Sequence, residues 1–164
     1  MSLAIIDIIP QTFKAQVKWP NDIYLYGKKC AGVLIETQIQ RDKIKTAFIG
    51  IGLNVNQESF PAEIEATSLK LAGGQNVELR GLLDKLLASL SFRLEQLKLP
   101  ELLARVYRNR LIGVHSILKY QDESGVFWAQ IHHVEEDGRL VLDVQGEHTF
   151  RYYRFKEVKL LGAQ

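Results

Sequence analysis

Three short segments contain residues whose types and spacing could do chemistry. The first is Lys18-Trp19-Pro20-Asn21-Asp22. A strand delivers Lys18, and Pro20 fixes the direction in which the chain leaves. Alternation along the strand puts Gln16 and Lys18 on one face and Val17 and Trp19 on the other. The apolar pair belongs against a core, which leaves Lys18 on the polar side. Asn21 and Asp22 can bond to the backbone and lock the turn. A lysine held in this way suits neutralisation of a carboxylate or phosphate. On local physics alone, a solvated lysine before an ordinary Asn/Asp turn is the commoner case. The second segment is Gly50-Ile51-Gly52-Leu53-Asn54-Val55-Asn56, which follows an apolar strand. Gly50 and Gly52 strip side chains from one face and let a flat ligand or another backbone approach. Asn54 lies on that face in an extended chain, and its amide can both donate and accept. The competing reading is a strand made slim for packing. The spacing is neither a dinucleotide fingerprint nor a P-loop. In the third segment, Lys28-Lys29-Cys30-Ala31-Gly32, Gly32 again thins a strand. Lys29 could reach the same ligand as Lys18, although paired lysines in a hairpin are more often solubilising.

Other reactive groups carry less. Cys30 is the single cysteine, with no histidine at motif spacing, so a catalytic thiol and an internal disulfide are both disfavoured. A lone thiol fits a reducing, cytoplasmic compartment. His132 and His133 are adjacent in an expected strand and should point to opposite faces, which argues against a shared metal. A formal net charge of +2 is too weak to suggest nucleic acid. No apolar run is long enough to span a bilayer. The opening MSLAIIDIIPQ has no basic leader and no small-residue cleavage site, so it reads as folded protein.

The elements that must position these residues follow from periodicity. Residues 2–9 read as part of a helix that stops near Pro10. Residues 13–19, 30–40 and 43–55 read as strands, with a short extended piece at 23–26, and imply an antiparallel meander. Residues 56–76 read mostly as loop, with a short helix at 61–66. Leu79, Leu82, Leu83, Leu86, Leu87, Leu90, Leu94 and Leu97 make one helical stripe. Pro100 opens a second helix, and both helices are expected to cover one face of the sheet. After Gly113 the period changes to two, and five short strands in about fifty residues suggest a small SH3-like barrel. The expected fold class is α+β: a mixed or antiparallel sheet with packed helices over 1–112, then an SH3-like domain over 113–164.

Taken together, KWPND, KKCAGVLIE, IGIGLNVN and ATSL at 66–69 stand in the order and spacing found in biotin–protein ligases, and the chain resembles that family. The resemblance runs from about Ser2 to Leu111, and less specifically through RYYRFKEVKLL near the end. It implies activation of biotin by ATP to biotinyl-5′-adenylate, then transfer to a lysine of a carboxylase carrier domain. By resemblance, Lys18 is the catalytic lysine at the biotin carboxylate and α-phosphate. Asn54, with Gly50 and Gly52, lies at the nucleotide, and Gly32 lies beside the biotin site. Lys29 joins the ligand-binding set, while Asn21 and Asp22 hold Lys18. Magnesium would come with the ATP phosphates. The resemblance also implies a glycine- and arginine-rich loop, a Ser/Thr-rich segment and, in some members, a DNA-binding helix-turn-helix. All of these lie upstream of the residues seen here, so the chain reads as a fragment whose independent activity is open. A homodimer would follow from exposed faces or from the sheet-edge pairing of the family. Three rivals stay open: a non-catalytic binder of biotin or biotinyl-adenylate, a lipoate-type acyl ligase, and a nucleic-acid module. KWPND favours biotin over lipoate, and the low net charge argues against nucleic acid.

Overall fold

A computed structural model describes residues 1–162. The chain folds into two compact units. One holds Met1–Ala15 and Asn21–Arg93; the other holds Gln16–Pro20 and the residues from Leu94 on. The division falls earlier than the change of periodicity at residue 113.

The chain opens with α1 (Ser2–Asp7), which belongs to the first unit. The strand expected over 13–19 is shorter: β1 covers only Gln16–Lys18 and belongs to the second unit. Gln11–Phe13 is instead a 3-10 turn, and Lys14 has a left-handed backbone (φ 48°), so extension cannot begin before Ala15. In the first unit β2 (Asp22–Leu25), β3 (Lys28–Gln40) and β4 (Lys43–Leu53) pair antiparallel in that order, as the expected meander requires. Ile5, Ile23, Leu25, Cys30, Ala31 and Val33 are buried and form its core. The face of β3 that carries Ala31 and Val33 continues outward to Ile35 and Ile39, which are exposed.

The helix expected at 61–66 is absent; a hydrogen bond from Ile64 N–H to Pro61 O makes only a turn there. The helix forms later, as α2 (Leu69–Gly73), because Ser68 can cap it: its Oγ accepts from Leu71 N–H at 3.1 Å. The leucine stripe does form a helix, α3 (Leu79–Glu95). The expected cover over the sheet does not follow. No residue of α3 is buried, and Leu79, Leu83 and Leu87 are exposed. Its ties to α1 are polar: Arg93 pairs with Asp7 at 2.6 Å, and Ser89 donates to the same carboxylate at 2.9 Å. Periodicity identifies an apolar face but not what meets it.

The second helix, α4 (Pro100–Arg108), packs in the second unit, where Arg108 Nε donates to His132 O at 2.7 Å. All five expected strands are present: β5 (Leu118–Asp122), β6 (Gly125–Val134), β7 (Leu140–Val144), β8 (Phe150–Tyr153) and β9 (Lys159–Leu161). They form one antiparallel sheet in the order β8-β7-β6-β5-β9. Tyr120, Ala129, Ile131, Leu142, Val144, Tyr153 and Leu160 bury its inner face. A bulge between Ile131 and His133 interrupts the alternation on which opposite-facing histidines depended, and the two rings lie edge to face at 4.9 Å. Among the described residues no group of three His, Cys, Asp or Glu side chains could hold a metal. Among the described residues no helix is long and apolar enough to cross a membrane.

Candidate active site

The β3–β4 register sets the floor of the site. Gly32 pairs with Gly52, and Leu34 pairs with Gly50, so three glycines fall on one face of two adjacent strands. A Cβ on Gly52 would meet no atom within 4 Å, and one on Gly50 would meet only Leu34 at 3.9 Å. Packing within the chain therefore does not demand glycine at either position. Open space over them is what a ligand approaching the backbone would use. This weakens the reading of Gly50 and Gly52 as residues thinned only for internal packing.

Gly32 differs. A Cβ there would stand 2.9 Å from Asp22 Oδ1 and 3.3 Å from both Cε and Nζ of Lys29. These two groups form an ion pair at 2.6 Å that lies across the glycine. Strict alternation would send Lys29 to the face of Ala31. A bulge intervenes: Ile23 pairs with Ala31 and Tyr24 with Lys29, which skips Cys30. The extra residue turns Lys29 onto the glycine face and leaves Cys30 buried, an instance of a bulge re-aiming a side chain. Burial pushes the Cys30 thiol up to about 12, so it is protonated at neutral pH and unsuited to nucleophilic work.

The KWPND segment is divided between the units. In the second unit, Val17 N–H donates to Arg110 O at 2.7 Å and Ile112 N–H donates to Val17 O at 2.9 Å. Trp19 Nε1 donates to Gly138 O at 3.2 Å, and Tyr107 Oη donates to Pro20 O at 2.6 Å. The Trp19–Pro20 peptide is cis. The backbone on both sides of Lys18 is thus fixed, and Lys18 itself is half-buried. In the first unit Asn21 donates its amide to Val33 O, and Val33 N–H returns a bond to Asn21 O at 3.2 Å. Asn21 and Asp22 therefore anchor this end of the motif to β3.

Asn54 stands at the end of β4, and its groups stitch the surrounding loop. Its N–H donates to Cys30 O at 2.9 Å, its Nδ2 to Thr67 O at 3.0 Å, and its carbonyl accepts from Leu69 N–H at 3.0 Å. Residues 65–67 run beside Lys29, with Lys29 N–H to Glu65 O and Thr67 N–H to Lys29 O at 3.0 and 2.9 Å. Asn54 thereby holds the ATSL segment against the strand that carries Lys29. The sequence reading missed Leu34 and Phe48. Alternation puts both on the glycine face, and Leu34 is 63% exposed there. The signal was present, since Leu34 is two residues from Gly32 and Phe48 two from Gly50, but the register was needed to join the strands.

Comparison with known proteins agrees with these segments. Residues 2–54 match the model of the biotin/lipoate A/B protein ligase family. The bifunctional ligase/repressor BirA of Bacillus spizizenii is 30% identical over 138 residues, which cover 80% of this chain and 42% of that protein. The biotin–[acetyl-CoA-carboxylase] ligase of Mycobacterium tuberculosis is 33% identical over 135 residues, 79% of this chain and 48% of that one. The biotin protein ligase of Aquifex aeolicus, solved in complex with biotin and ATP, superposes with a TM-score of 0.75 at 26% identity. That match covers 98% of this chain and 68% of the Aquifex chain. The chain spans less than half the length of the curated relatives it matches. The segments that lay out the glycine floor and its ion pair are those the family match covers, and in these segments and in its fold the chain is similar to the biotin–protein ligases.

Proposed function

We propose that this chain carries part of a site that activates biotin with ATP and passes the biotinyl group to a lysine of a carboxylase carrier domain. The observation that carries this reading is the open glycine floor of Gly50 and Gly52, bounded at Gly32 by the Asp22–Lys29 pair that lies across it. In the first step a biotin carboxylate oxygen attacks the α-phosphorus of ATP and pyrophosphate leaves. Two anions must meet, and a fixed cation lowers that repulsion and favours the charge that grows on the phosphate oxygens. Lys18 and Lys29 are the two candidates. Lys18 has the more rigid backbone, whereas Lys29 lies on the glycine face and can keep Asp22 while donating to a phosphate. In the second step the acceptor amine attacks the acyl carbon and AMP leaves.

The backbone over Gly50 and Gly52 is open to a flat ligand, and Leu34 offers an apolar wall for the biotin rings. Asn54 serves the nucleotide by fixing the loop beside it. Magnesium fits as a passenger of the ATP phosphates, since the Asp22 carboxylate is already paired. The sheet that follows residue 113 is read as an SH3-like barrel, and the buried single thiol supports a reducing cytoplasm.

The test is biotin-dependent ATP–pyrophosphate exchange by the chain, beside Gly52→Val, K18A, K29A and N54A. Gly52→Val should abolish exchange with an unchanged melting temperature, because a Cβ there meets no atom of the chain within 4 Å. Loss of exchange in K29A but not K18A, or the reverse, assigns the cation. N54A should weaken nucleotide binding more than biotin binding. Biotinyl-adenylate binding without any exchange would make the chain a binder and sink the catalytic reading.

A further inference from the structure

β4 ends at Leu53, opposite Ala31, so it stops short of Lys29 on the neighbouring strand. Residues 65–67 take its place there, parallel to β3, and engage both backbone groups of Lys29. Lys29 N–H donates to Glu65 O at 3.0 Å, and its carbonyl accepts from Thr67 N–H at 2.9 Å. Asn54 stands where β4 gives way to this run, and it is bonded on both sides of Lys29. On one side is Cys30, the bulge residue: Asn54 N–H donates to Cys30 O at 2.9 Å, and the thiol donates to Asn54 O at 3.6 Å. On the other is Thr67, whose carbonyl accepts from Asn54 Nδ2 at 3.0 Å. Ser68 secures the end of the run. It is fully buried, donates to Gln57 O at 2.6 Å and accepts from Leu71 N–H at 3.1 Å.

We propose that Asn54 is a positioning residue for Lys29, acting through residues 65–67 rather than by touching the nucleotide base, an inference that rests on the function proposed above. A bulge interrupts the ladder of its strand, so the direction of the side chain it re-aims depends on the bonds that replace the ladder. Here those bonds come from the run that Asn54 holds. With its backbone fixed in this way, Lys29 reaches across Gly32 to place Nζ 2.6 Å from Asp22 Oδ1. A cation that must meet a phosphate loses most of its effect when displaced by about 1 Å. The residue type fits the role, since the Asn54 amide donates to a carbonyl where an aspartate could not.

Two measurements on the full chain test this. The first is a pulse of acetic anhydride on the folded protein, read lysine by lysine by mass spectrometry, which reports how freely each amine moves. N54A keeps the backbone bonds of residue 54 and removes only the bond to Thr67 O. Lys29 should acetylate roughly threefold faster or more in N54A, and by a smaller factor in S68A, as the run beside it loosens. Lys28, and Lys43 at the far end of the hairpin, should keep their parental rates. A rise at all three lysines in N54A would be unfolding, and S68A then decides. The second measurement is calorimetric titration with inorganic triphosphate beside ATP, since triphosphate has no base. N54A should weaken both by the same factor, about tenfold, and should weaken neither further in a K29A background. Lys29 acetylation unchanged in the folded variants would make Asn54 a structural tie and overturn the inference, and it decides even if the chain binds neither phosphate. So would ATP binding weakened in N54A with triphosphate binding unchanged, which would put Asn54 on the base. Pyrophosphate exchange reads the proposed function separately. Its absence, with Lys29 released in N54A, strikes the catalytic reading and leaves the positioning role standing.

Discussion

The two sheets of this molecule obey the same two-residue alternation and end in different states. In the second unit the inward row is closed: Tyr120, Ala129, Ile131, Leu142 and Leu160 are all buried. In the first unit the inward row is closed only at one end, at Ala31 and Val33. The same row then runs out to Ile35, Ile39, Ile44 and Ile49, all exposed. The opposite face of that hairpin is exposed as well, but with glycines where the isoleucines would be. An apolar pattern therefore marks which residues seek cover, and only the remaining contacts show whether they obtain it. The difference teaches where stability and where binding reside: one sheet is a finished core, the other a surface arranged for something else.

The largest expected break in this comparison comes from Leu142, whose side chain is 0% exposed at the centre of the second sheet. Leu142→Ala should cost about 2–5 kcal/mol, the usual range for a buried leucine truncated in a core that relaxes only partly. Chemical denaturation followed by hydrogen exchange within β5–β9 would measure it.

Gly113 is next. It enters the second sheet with φ of 96°, and a Cβ there would stand 2.7 Å from the Tyr120 hydroxyl, a buried group without a hydrogen-bond partner. Gly113→Ala should destabilise by about 2–4 kcal/mol through backbone strain and overpacking together. Adding Tyr120→Phe removes the clash but not the strain. The double variant should recover part of the loss, and thermal melts of the two proteins would separate the terms.

A smaller effect, read by pH, sharpens the same comparison. Asp122 in the second unit is desolvated, which raises its pKa. Bonds from Ser124 and Tyr153 and the charge of Arg151 outweigh that and hold it at about 2, below the ordinary 3.8. A carboxyl depressed in the folded state stabilises above its unfolded value and loses that contribution as pH falls through its folded value. The second unit should therefore lose about 2 kcal/mol between roughly pH 4 and 2. Asp122→Asn should flatten that acid limb. Tyr153 is raised to about 12 by burial and the Asp122 bond, so its contribution holds below pH 10 and fades as pH rises through 12.

The sequence was most readable where local chemistry and periodicity agree. β3, β4 and the five strands after Gly113 follow from alternation between turn residues, and the α3 helix follows from its leucines. Gly50 and Gly52 could be placed on one face because no bulge lies between them. Lys29 could not be placed in the same way. The bulge at Cys30 that turns it toward Gly32 depends on Ile23 and Ala31 pairing across strands, and no local pattern reports such a pairing. The cover expected from α3 failed for the same reason, since a stripe of leucines names no partner. Asn54 was readable as a residue of consequence, but its bonds to Thr67 and Leu69 needed a loop path that residues 56–66 do not announce.

The smallest expected effect is the one that tests the comparison most directly. Ile39 is chemically as apolar as Leu142, yet it is 70% exposed at the end of the first sheet. Burial determines the contribution of a methyl group, at about 25 cal/mol per Å² removed from water, and Ile39 has little area removed. Ile39→Ala should therefore change the stability of the isolated chain by less than about 0.5 kcal/mol, as surface substitutions do. Its effect should appear instead in solubility, since an uncovered Ile35–Ile39–Ile44–Ile49 row is a surface that seeks another. Sedimentation at rising concentration would show it. Reduced self-association in Ile39→Ala with an unchanged denaturation midpoint would place the cost of that row in its exposure. A large loss of stability instead would mean that the first sheet buries Ile39 in solution and is as closed as the second.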